Sequence, residues 1–306
     1  MGFISMMTPT EENPPRFDQQ KQLPDGRRLG YDEHGAPGGT ALFYFHGAPS
    51  SRYESRLYLT EELLQALNVR LIVVDRPGMG LSDYQPKRRI LDWPQDVLAL
   101  ADHLKVEKFS ILAYSLGGPY GLACAYAIPQ RLNKVGIVSG AALFTNPELV
   151  KNVNEGTRRF LTMPREKPWL SRLFLGMMLG VLPRISPKRF IASAGSMLPE
   201  PDRLLVSSDQ DFQEGFLHML REAMRQGSRG AHQESLLSIT EPGYHLEDIR
   251  AGVLLWHGEV DQNIPVQMAR YAAKAIPSCQ AKFYYDEGHL SLFKKYAEEI
   301  VTALTG

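Results

Sequence analysis

The feature that most constrains this fold is a series of short, nearly uninterrupted apolar segments that alternate with amphipathic helical patterns. The segments are ALFYFH (41–46), RLIVVD (70–75), KFSILAY (108–114), KVGIVSG (134–140), GVLLWHG (252–258) and AKFYYD (281–286). Strands that are apolar on both faces are typical of a parallel sheet covered by helices on both sides. The pattern therefore predicts a doubly wound, mostly parallel α/β sheet.

Two regions depart from this alternation. The turn Pro24-Asp25-Gly26 predicts an antiparallel hairpin ahead of the parallel strands. Between residues 144 and 247, prolines interrupt helical stretches and no strand pattern occurs, which predicts an all-helical insertion. We therefore expect a flexible leader (1–18), an α/β core (19–143 and 248–306) and a helical cap (144–247).

The overall charge argues against a nucleic-acid partner. Lys and Arg total 34, as do Asp and Glu, so the formal net charge is zero. Such a chain has no global field to attract nucleic acid or an anionic membrane. The longest apolar stretch, 173–182, is roughly half of the ~20 residues that a membrane span requires. We expect a small-molecule partner and no membrane span; the oligomeric state is left open.

Cysteine usage and the N-terminal sequence bear on the compartment. The 306 residues include only Cys124 and Cys279, too few for a disulfide scaffold. The N-terminal residues lack a basic segment followed by a sustained apolar stretch, so a secretory signal is not expected. Both features predict a cytoplasmic protein.

Polar side chains follow several of the predicted strands. Ser115 ends KFSILAY, His46 ends ALFYFH, Asp261 lies just beyond GVLLWHG, and His289 follows AKFYYD. Because the carboxyl ends of parallel strands meet at one edge of a sheet, we expect these side chains to lie close together. A serine next to a histidine and a carboxylate is the arrangement of nucleophilic acyl transfer.

These motifs resemble those of the α/β-hydrolase superfamily over about residues 20–143 and 248–304. A-Y-S-L-G-G resembles its nucleophile elbow, H-G-A-P its oxyanion loop, and H-G-E-V-D and D-E-G-H its acid and histidine turns. The order Ser, Asp, His along the chain is also that of the superfamily. The resemblance implies an α/β-hydrolase fold in which the helical insertion is the variable cap.

The resemblance also implies a role for each site residue. Ser115 would be the nucleophile, His289 its general base and Asp261 the acid that orients the histidine. The backbone N–H groups of Ala48 and Leu116 would form the oxyanion hole. Three further residues are expected to support the surrounding loops: His46, Gly47 and Gly117.

The assignment of the acid has competitors. Glu259 lies earlier in the same turn as Asp261, and its longer side chain would lose more rotamer freedom in holding a ring. Asp286 is only three residues before His289, which is too local to orient the ring from the opposite side. Asp261 is the predicted acid. His257, at the end of its strand, is expected to be a packed core residue.

The elbow departs from the usual G-x-S-x-G because Ala113 occupies its first small position. The sharp turn from strand to helix crowds the side chains two residues before and two residues after the serine. Alanine is small enough for this position, and Gly117 and Gly118 relieve the other side. We therefore expect the elbow to form.

Motifs for metals and cofactors do not occur in this sequence. It contains no H-E-x-x-H, paired cysteine, P-loop or strand-linked G-x-G-x-x-G pattern, so cofactor-independent chemistry is expected. A serine nucleophile favours a carboxylic-ester hydrolase. An aminopeptidase similar to proline iminopeptidases or a carbon–carbon bond hydrolase is the alternative, and a slow-turnover small-molecule receptor is the alternative from another class.

Methionines are frequent in the predicted insertion. Met219 and Met224 recur at helical spacing near its end. Flexible thioethers suit a pocket that accepts varied apolar groups. We therefore expect these two side chains to roof the active site, with ordinary core packing as the alternative.

Overall fold

An eight-stranded sheet forms the centre of this protein in a computed structural model that describes residues 16–141, 143–153 and 155–306. The strands are β1 (Gln19–Gln22), β2 (Arg28–Gly35), β3 (Thr40–Phe45), β4 (Val69–Val74), β5 (Phe109–Tyr114), β6 (Leu132–Val138), β7 (Val253–Gly258) and β8 (Cys279–Tyr284). Most of the predicted leader, residues 1–15, lies outside the described residues.

The strand order is β1-β2-β4-β3-β5-β6-β7-β8. β2 pairs antiparallel with both β1 and β4, whereas the strands from β4 to β8 pair in parallel. The predicted hairpin joins β1 to β2, and the predicted α/β architecture is confirmed. The chain crosses from β4 over β3 to β5, so the strand order reverses between β3 and β5. In sheets of this kind the ligand site lies beyond the strand ends at that reversal.

Helices cover both faces of the sheet. Those outside the insertion are α1 (Glu61–Ala66), α2 (Trp93–His103), α3 (Gly118–Ala127), α11 (Val266–Ala275) and α12 (Ser291–Thr305). Alternate residues of β5 show why both faces are apolar. Ile111 and Ala113 pack into the core beneath α2, α3 and α11, while Leu112 and Tyr114 pack against α12 and part of the insertion.

The described residues between β6 and β7 form helices and turns, with no strand. The helices are α4 (Glu155–Glu166), α5 (Pro168–Leu175), α6 (Leu182–Ile185), α7 (Pro187–Ser196), α8 (Glu200–Ser208), α9 (Gln210–Ala223) and α10 (Arg229–Ser238). A π-helical segment, Gly176–Val181, joins α5 to α6. These helices lie within the predicted cap, and the division of the chain into a core and a cap at residues 144–247 stays a prediction.

Candidate active site

Ser115 occupies a strained turn between β5 and α3. Its φ of +52° lies in the left-handed region, which a residue with a Cβ rarely adopts. A short 3₁₀ turn, Ser115–Gly117, then leads directly into α3. Such strain persists only where surrounding structure enforces it, and it concentrates at functional sites. The turn holds the Ser115 hydroxyl at the carboxyl edge of the sheet.

Small residues allow this turn to form, although their neighbours differ from those expected. A Cβ on Gly117 would lie 2.2 Å from the carbonyl oxygen of Phe45, so glycine is required by the approach of β3. A Cβ on Gly121 would lie 2.8 Å from the Cβ of Ala113. The small residue before the serine therefore accommodates helix α3, and the small residue after it accommodates strand β3.

The structure brings Ser115, His289 and Asp261 together. Ser115 Oγ lies 2.9 Å from His289 Nε2, and His289 Nδ1 lies 2.7 Å from Asp261 Oδ2. The three residues come from the ends of β5, β8 and β7, so the parallel sheet aligns them at one edge. The distances allow a proton to pass from the hydroxyl to the ring while the carboxylate holds the ring in one tautomer.

Asp261 is also fixed by its own turn. Its Oδ1 accepts N–H bonds from Asn263 (2.8 Å) and Ile264 (3.0 Å), which leaves Oδ2 for the histidine. The competing carboxylates lie elsewhere: Glu259 pairs with Arg270, and Asp286 is exposed. Of these three acids, only Asp261 contacts His289.

The two pKa shifts within this pair favour the ionised carboxylate. Burial opposes charge on Asp261, but the charge and hydrogen bond of His289 outweigh burial and lower the pKa of Asp261. Burial also opposes charge on His289, but the charge and hydrogen bond of Asp261 outweigh it and raise the pKa of His289. The pair is thus suited to hold an imidazolium as soon as the ring accepts a proton.

The loop after β3 faces Ser115. A Cβ on Gly47 would lie 3.1 Å from the Cβ of Ser115, so this loop passes close to the serine. Among the described residues, no hydrogen-bond partner is found for the amide of Ala48. Leu116 is in the first turn after the elbow, where the amides of a helix lack intrahelical partners. Both amides are thus available as donors near the hydroxyl of Ser115.

His46 lies beneath this loop and not beside the serine. One ring nitrogen is 2.7 Å from the carbonyl oxygen of Gly47, and the other accepts the N–H of Arg76 at 3.1 Å. Burial, reinforced by the positive charge of Arg76, holds the pKa of His46 well below its usual range. The neutral ring links two backbone segments, which supports the structural role expected from the sequence.

Glu54 is a residue near the site that the sequence did not indicate. Its Oε2 accepts the N–H of Gly47 at 2.7 Å and the hydroxyl of Tyr44 at 2.9 Å. Burial raises its pKa despite these donors. Because the amide of Gly47 is committed to Glu54, the next amide, that of Ala48, is the one left to donate toward a substrate. In the sequence, Glu54 is indistinguishable from a solvated acid.

Asp202, from helix α8 of the insertion, holds the backbone of the histidine turn. Its carboxylate accepts the N–H groups of His289 (2.8 Å), Leu290 (2.9 Å) and Ser291 (2.9 Å). A Cβ on Gly288 would lie 2.5 Å from Asp202 Oδ1, so the carboxylate can approach only a glycine. The insertion therefore contributes directly to the placement of His289.

The carbonyl side of the same turn is held from the core. Tyr114 donates its hydroxyl to the carbonyl oxygen of His289 at 3.0 Å, and Tyr58 donates to the hydroxyl of Tyr114 at 3.2 Å. Together with Asp202 and Asp261, these contacts restrain both backbone polar groups and one ring nitrogen of His289.

His257 lies next to the acid turn and is completely buried. Its Nε2 lies 2.8 Å from the carbonyl oxygen of Ile264 and 3.5 Å from Asp261 Oδ2. Burial lowers its pKa, although the neighbouring Asp261 opposes this shift. A neutral ring that donates to a backbone carbonyl supports the packed role expected for it.

An apolar cluster surrounds the two candidate oxyanion donors. The buried members of the cluster are Leu116, Phe144, Val153, Leu161, Ile264 and Met268. Ala48 is partly buried and packs against this cluster. Met219 and Met224 belong to other clusters: Met219 packs near Tyr58, and Met224 near Met79. The expectation that these methionines roof the site is not supported, because neither belongs to the cluster that surrounds Leu116.

The described residues offer neither a metal-binding cluster nor a membrane-spanning helix. No group of three or more His, Cys, Asp and Glu side chains is arranged to hold a metal ion within them. None of their helices combines the length and apolar character needed to cross a bilayer.

Comparison with known families and proteins agrees with the fold. A model described as the alpha/beta hydrolase family matches residues 42–303. The chain is 25% identical over 286 residues to the uncharacterized hydrolase YcgS of Bacillus subtilis, covering 92% of this chain and 95% of that protein. It is 25% identical over 294 residues to a 2-hydroxy-6-oxononadienedioate/2-hydroxy-6-oxononatrienedioate hydrolase of Cupriavidus pinatubonensis, covering 92% and 90%.

Solved structures share the same fold at lower identity. The esterase EaEST from Exiguobacterium antarcticum superposes with a TM-score of 0.69 and 18% identity, over 95% of this chain and all (100%) of that chain. The esterase RhEst1 from Rhodococcus sp. ECU1013 superposes with a TM-score of 0.67 and 20% identity, over 94% and 99%. At these identities the similarity is one of fold.

Proposed function

Because the chain belongs to the alpha/beta hydrolase family, we propose that this hydrolase uses a serine nucleophile to cleave carboxylic esters of small to medium apolar substrates. The observation that carries the proposal is the hydrogen-bonded series from Ser115 through His289 to Asp261. In the first step of the proposed reaction, Ser115 Oγ attacks the ester carbonyl carbon while His289 Nε2 accepts the hydroxyl proton. Asp261 stays ionised and stabilises the imidazolium that results.

The negative charge that develops on the carbonyl oxygen requires donors that are already in place. The amides of Ala48 and Leu116 would supply them, and removal of one such donor typically costs about 10²–10³ in rate. His289 then returns the proton to the leaving alkoxide, which leaves an acyl group on Ser115. A water molecule, deprotonated by the same ring, attacks the acyl group and releases the carboxylic acid.

The preference for apolar substrates rests on the cluster around Leu116. Its buried side chains, Phe144, Val153 and Leu161 among them, are all apolar. A hydrocarbon surface favours an uncharged acyl or alcohol group and disfavours a carboxylate, whose burial without a partner is costly. The esterase names of the two structural neighbours are consistent with ester cleavage.

A carbon–carbon bond hydrolase is the second candidate. It is favoured by the Cupriavidus pinatubonensis relative, which matches over most of both chains and is named for a dioate substrate. A dioate carries two carboxylates, which the apolar cluster around Leu116 does not accommodate well. Ester cleavage is therefore the primary proposal.

Labelling with a fluorophosphonate tests the nucleophile. We expect Ser115→Ala to abolish labelling, because no other serine hydroxyl of the described residues is hydrogen-bonded to His289. Ser139→Ala is the matched control, since Ser139 is another serine with a positive φ, 45°, directly after a sheet strand. Labelling that survives in Ser115→Ala, or that is lost in Ser139→Ala alone, would contradict the assignment.

Turnover then tests the reaction. A panel of p-nitrophenyl esters of increasing acyl length should be hydrolysed repeatedly by the wild-type chain and not by Ser115→Ala. One equivalent of p-nitrophenol released without further turnover would instead favour the slow-turnover receptor. Release of amino-terminal residues from peptides in the absence of ester turnover would favour the aminopeptidase.

A further inference from the structure

An exposed apolar stripe runs along the helical segment of residues 168–185 in the insertion. This segment comprises α5, the π-helical residues and α6, which follow one another without a break. At intervals of four residues it carries five large apolar side chains that are exposed to solvent: Trp169, Leu173, Met177, Val181 and Ile185. This set is called the apolar stripe below.

The exposure of the apolar stripe is unusual. Trp169 is 71% exposed and Ile185 is 70% exposed, and Phe174 beside them is 44% exposed. Single exposed apolar residues are ordinary, but a continuous exposed apolar patch on a folded chain marks a surface that binds something. No described part of the chain covers the apolar stripe.

Basic side chains flank the apolar stripe. Residues 165–189 contain six basic residues and one acidic residue, in a chain whose formal net charge is zero. The six are exposed and none forms an ion pair within the described residues: Arg165, Lys167, Arg172, Arg184, Lys188 and Arg189. The segment thus combines exposed hydrocarbon with unneutralised positive charge.

We infer that the apolar stripe and its flanking basic residues dock on the surface of an anionic lipid bilayer. An amphipathic helix with large apolar residues on one face and Lys or Arg beside them lies in the plane of the interface, where its apolar face enters the acyl boundary. The segment is about 27 Å long at 1.5 Å per residue, enough for such a contact. Its positive charge complements anionic headgroups.

Charge also argues against a second copy of this chain as the occupant. A twofold interface places the same patch of both subunits face to face. Two copies of the 165–189 segment would then bring twelve basic residues together with only two acidic ones, twice the content of one segment. Repulsion between these like charges would oppose such a contact. An anionic bilayer would instead attract the same basic residues.

Tryptophan fluorescence gives a direct test, because Trp169 is the exposed tryptophan of the three in the chain. Trp93 and Trp256 are each 2% exposed, so a change on adding vesicles reports on Trp169. With phosphatidylglycerol vesicles we expect the emission to shift to shorter wavelength and the protein to co-sediment. Phosphatidylcholine vesicles should produce much less of either effect, and added salt should weaken binding to phosphatidylglycerol.

Variants separate the two components of the contact. The double variant Leu173→Glu, Met177→Glu should abolish co-sedimentation with phosphatidylglycerol vesicles. Arg172→Gln should weaken it about fivefold, the order expected for one basic residue at an anionic surface. Tyr271→Glu, an exposed aromatic residue on α11 of the core, is the matched control and should bind like the wild type. Because none of these residues lies in the catalytic machinery, turnover of a soluble ester should be unchanged.

Any one of the following results would overturn the inference. The first is the absence of an emission shift and of co-sedimentation with phosphatidylglycerol vesicles. The second is an equal loss of binding in Tyr271→Glu. The third is a short-wavelength Trp169 emission in the free protein, or a dimer that the Leu173→Glu, Met177→Glu variant dissociates, since either would mean that protein already covers the apolar stripe. The test needs no turnover, so it is independent of the proposed ester hydrolysis.

Discussion

The core and the insertion each bring one buried carboxylate to His289, but they hold different parts of it. Asp261, from the turn after β7, lies 2.7 Å from the ring nitrogen Nδ1. Asp202, from helix α8 of the insertion, accepts the backbone N–H groups of His289, Leu290 and Ser291. The core therefore orients the ring, and the insertion fixes the backbone from which the ring extends.

The pKa shifts of the two acids differ in direction because the carboxylates face different partners. Burial raises the pKa of both, but Asp261 faces the charge of His289 directly, and its pKa falls below the usual range. Asp202 faces neutral amides first, and although these and the more distant His289 charge oppose burial, its pKa stays raised. Two buried carboxylates at one histidine thus hold different parts of it, Asp261 the ring and Asp202 the backbone.

A second buried carboxylate of the insertion, that of Glu234, contacts the core. Glu234, on α10, accepts hydrogen bonds from Arg76 and Arg88 of the core. Burial opposes its ionisation, but the two arginine charges outweigh burial and lower the pKa of Glu234 to about 2. The insertion is thus attached to the core by one acid that faces backbone amides and by another that neutralises two guanidinium groups.

The largest effect on activity is expected from the acid of the core. Asp261→Asn should lower kcat by ~10⁴, because an asparagine stabilises the wrong tautomer of the histidine. Steady-state kinetics on a p-nitrophenyl ester measures the loss, and circular dichroism checks the fold. Glu259→Gln and Asp286→Asn are the matched controls and should each cost far less. If Asp286→Asn proved more damaging than Asp261→Asn, the assignment of the acid would be wrong.

The largest effect on stability is expected from the insertion. Glu234→Gln leaves the charges of Arg76 and Arg88 buried without their carboxylate, which should lower the free energy of unfolding by about 3 to 5 kcal/mol. Urea denaturation measures this change. Glu148→Gln, which removes an exposed partner of Lys151, is the control and should change stability by less than about 1 kcal/mol. Equal losses of stability in Glu234→Gln and Glu148→Gln would mean that the buried carboxylate stabilises the fold no more than the exposed one.

The pH dependence of that stability has a defined sign. Because folding lowers the pKa of Glu234 from 4.5 to about 2, its contribution is complete above about pH 4.5 and is lost as the pH falls toward 2. We expect the wild-type protein to lose stability across this window and Glu234→Gln to lose less. Unfolding curves at several acidic pH values measure the difference, and parallel curves would exclude Glu234 as its source.

An intermediate effect is expected from the supporting acid. Asp202→Asn should reduce kcat/KM about tenfold, the order of one lost charge-assisted hydrogen bond. It should also change the pH profile, because the charge of Asp202 contributes to raising the pKa of His289. In the wild type, kcat/KM should fall as the pH drops through that raised pKa, above the usual value of about 6.5, because the base must be neutral.

In Asp202→Asn the decline of kcat/KM should begin at a lower pH, because loss of the negative charge lowers the pKa of His289. A role in folding alone would reduce the amount of active protein and leave the profile unmoved. Glu200→Gln, on the same helix but exposed, is the control and should reproduce the wild-type profile. An unshifted profile in Asp202→Asn would reduce Asp202 to a purely structural contact.

The sequence predicted the core better than the insertion for a physical reason. The elbow at Ser115 is local, since a buried strand, a serine and adjacent small residues are all visible within ten residues. Asp202 meets His289 across 87 residues, and its own helix reads as a solvated surface helix. Nothing near Met219 indicates which face of its helix turns toward the core. Tertiary contacts between segments far apart in sequence decide both cases.

The smallest effect concerns the acyl preference, and it compares two parts of the insertion. Leu161, on α4, is buried in the cluster that contains Leu116, whereas Met219, on α9, is buried near Tyr58. Leu161→Ala and Met219→Ala should each destabilise the fold by about 2 to 5 kcal/mol, since both remove several buried carbons. Matched stability losses make the pair a fair comparison.

Only Leu161→Ala should shift the ratio of kcat/KM values between long and short p-nitrophenyl esters toward the longer acyl chains. Removal of the leucine side chain enlarges the apolar space beside Leu116, and a methylene in such a pocket is worth about 1 kcal/mol or more. Partial collapse of the cavity should limit the shift to less than about tenfold. If Met219→Ala shifted the ratio and Leu161→Ala did not, the acyl group would lie beneath α9, and the methionines would line the pocket after all.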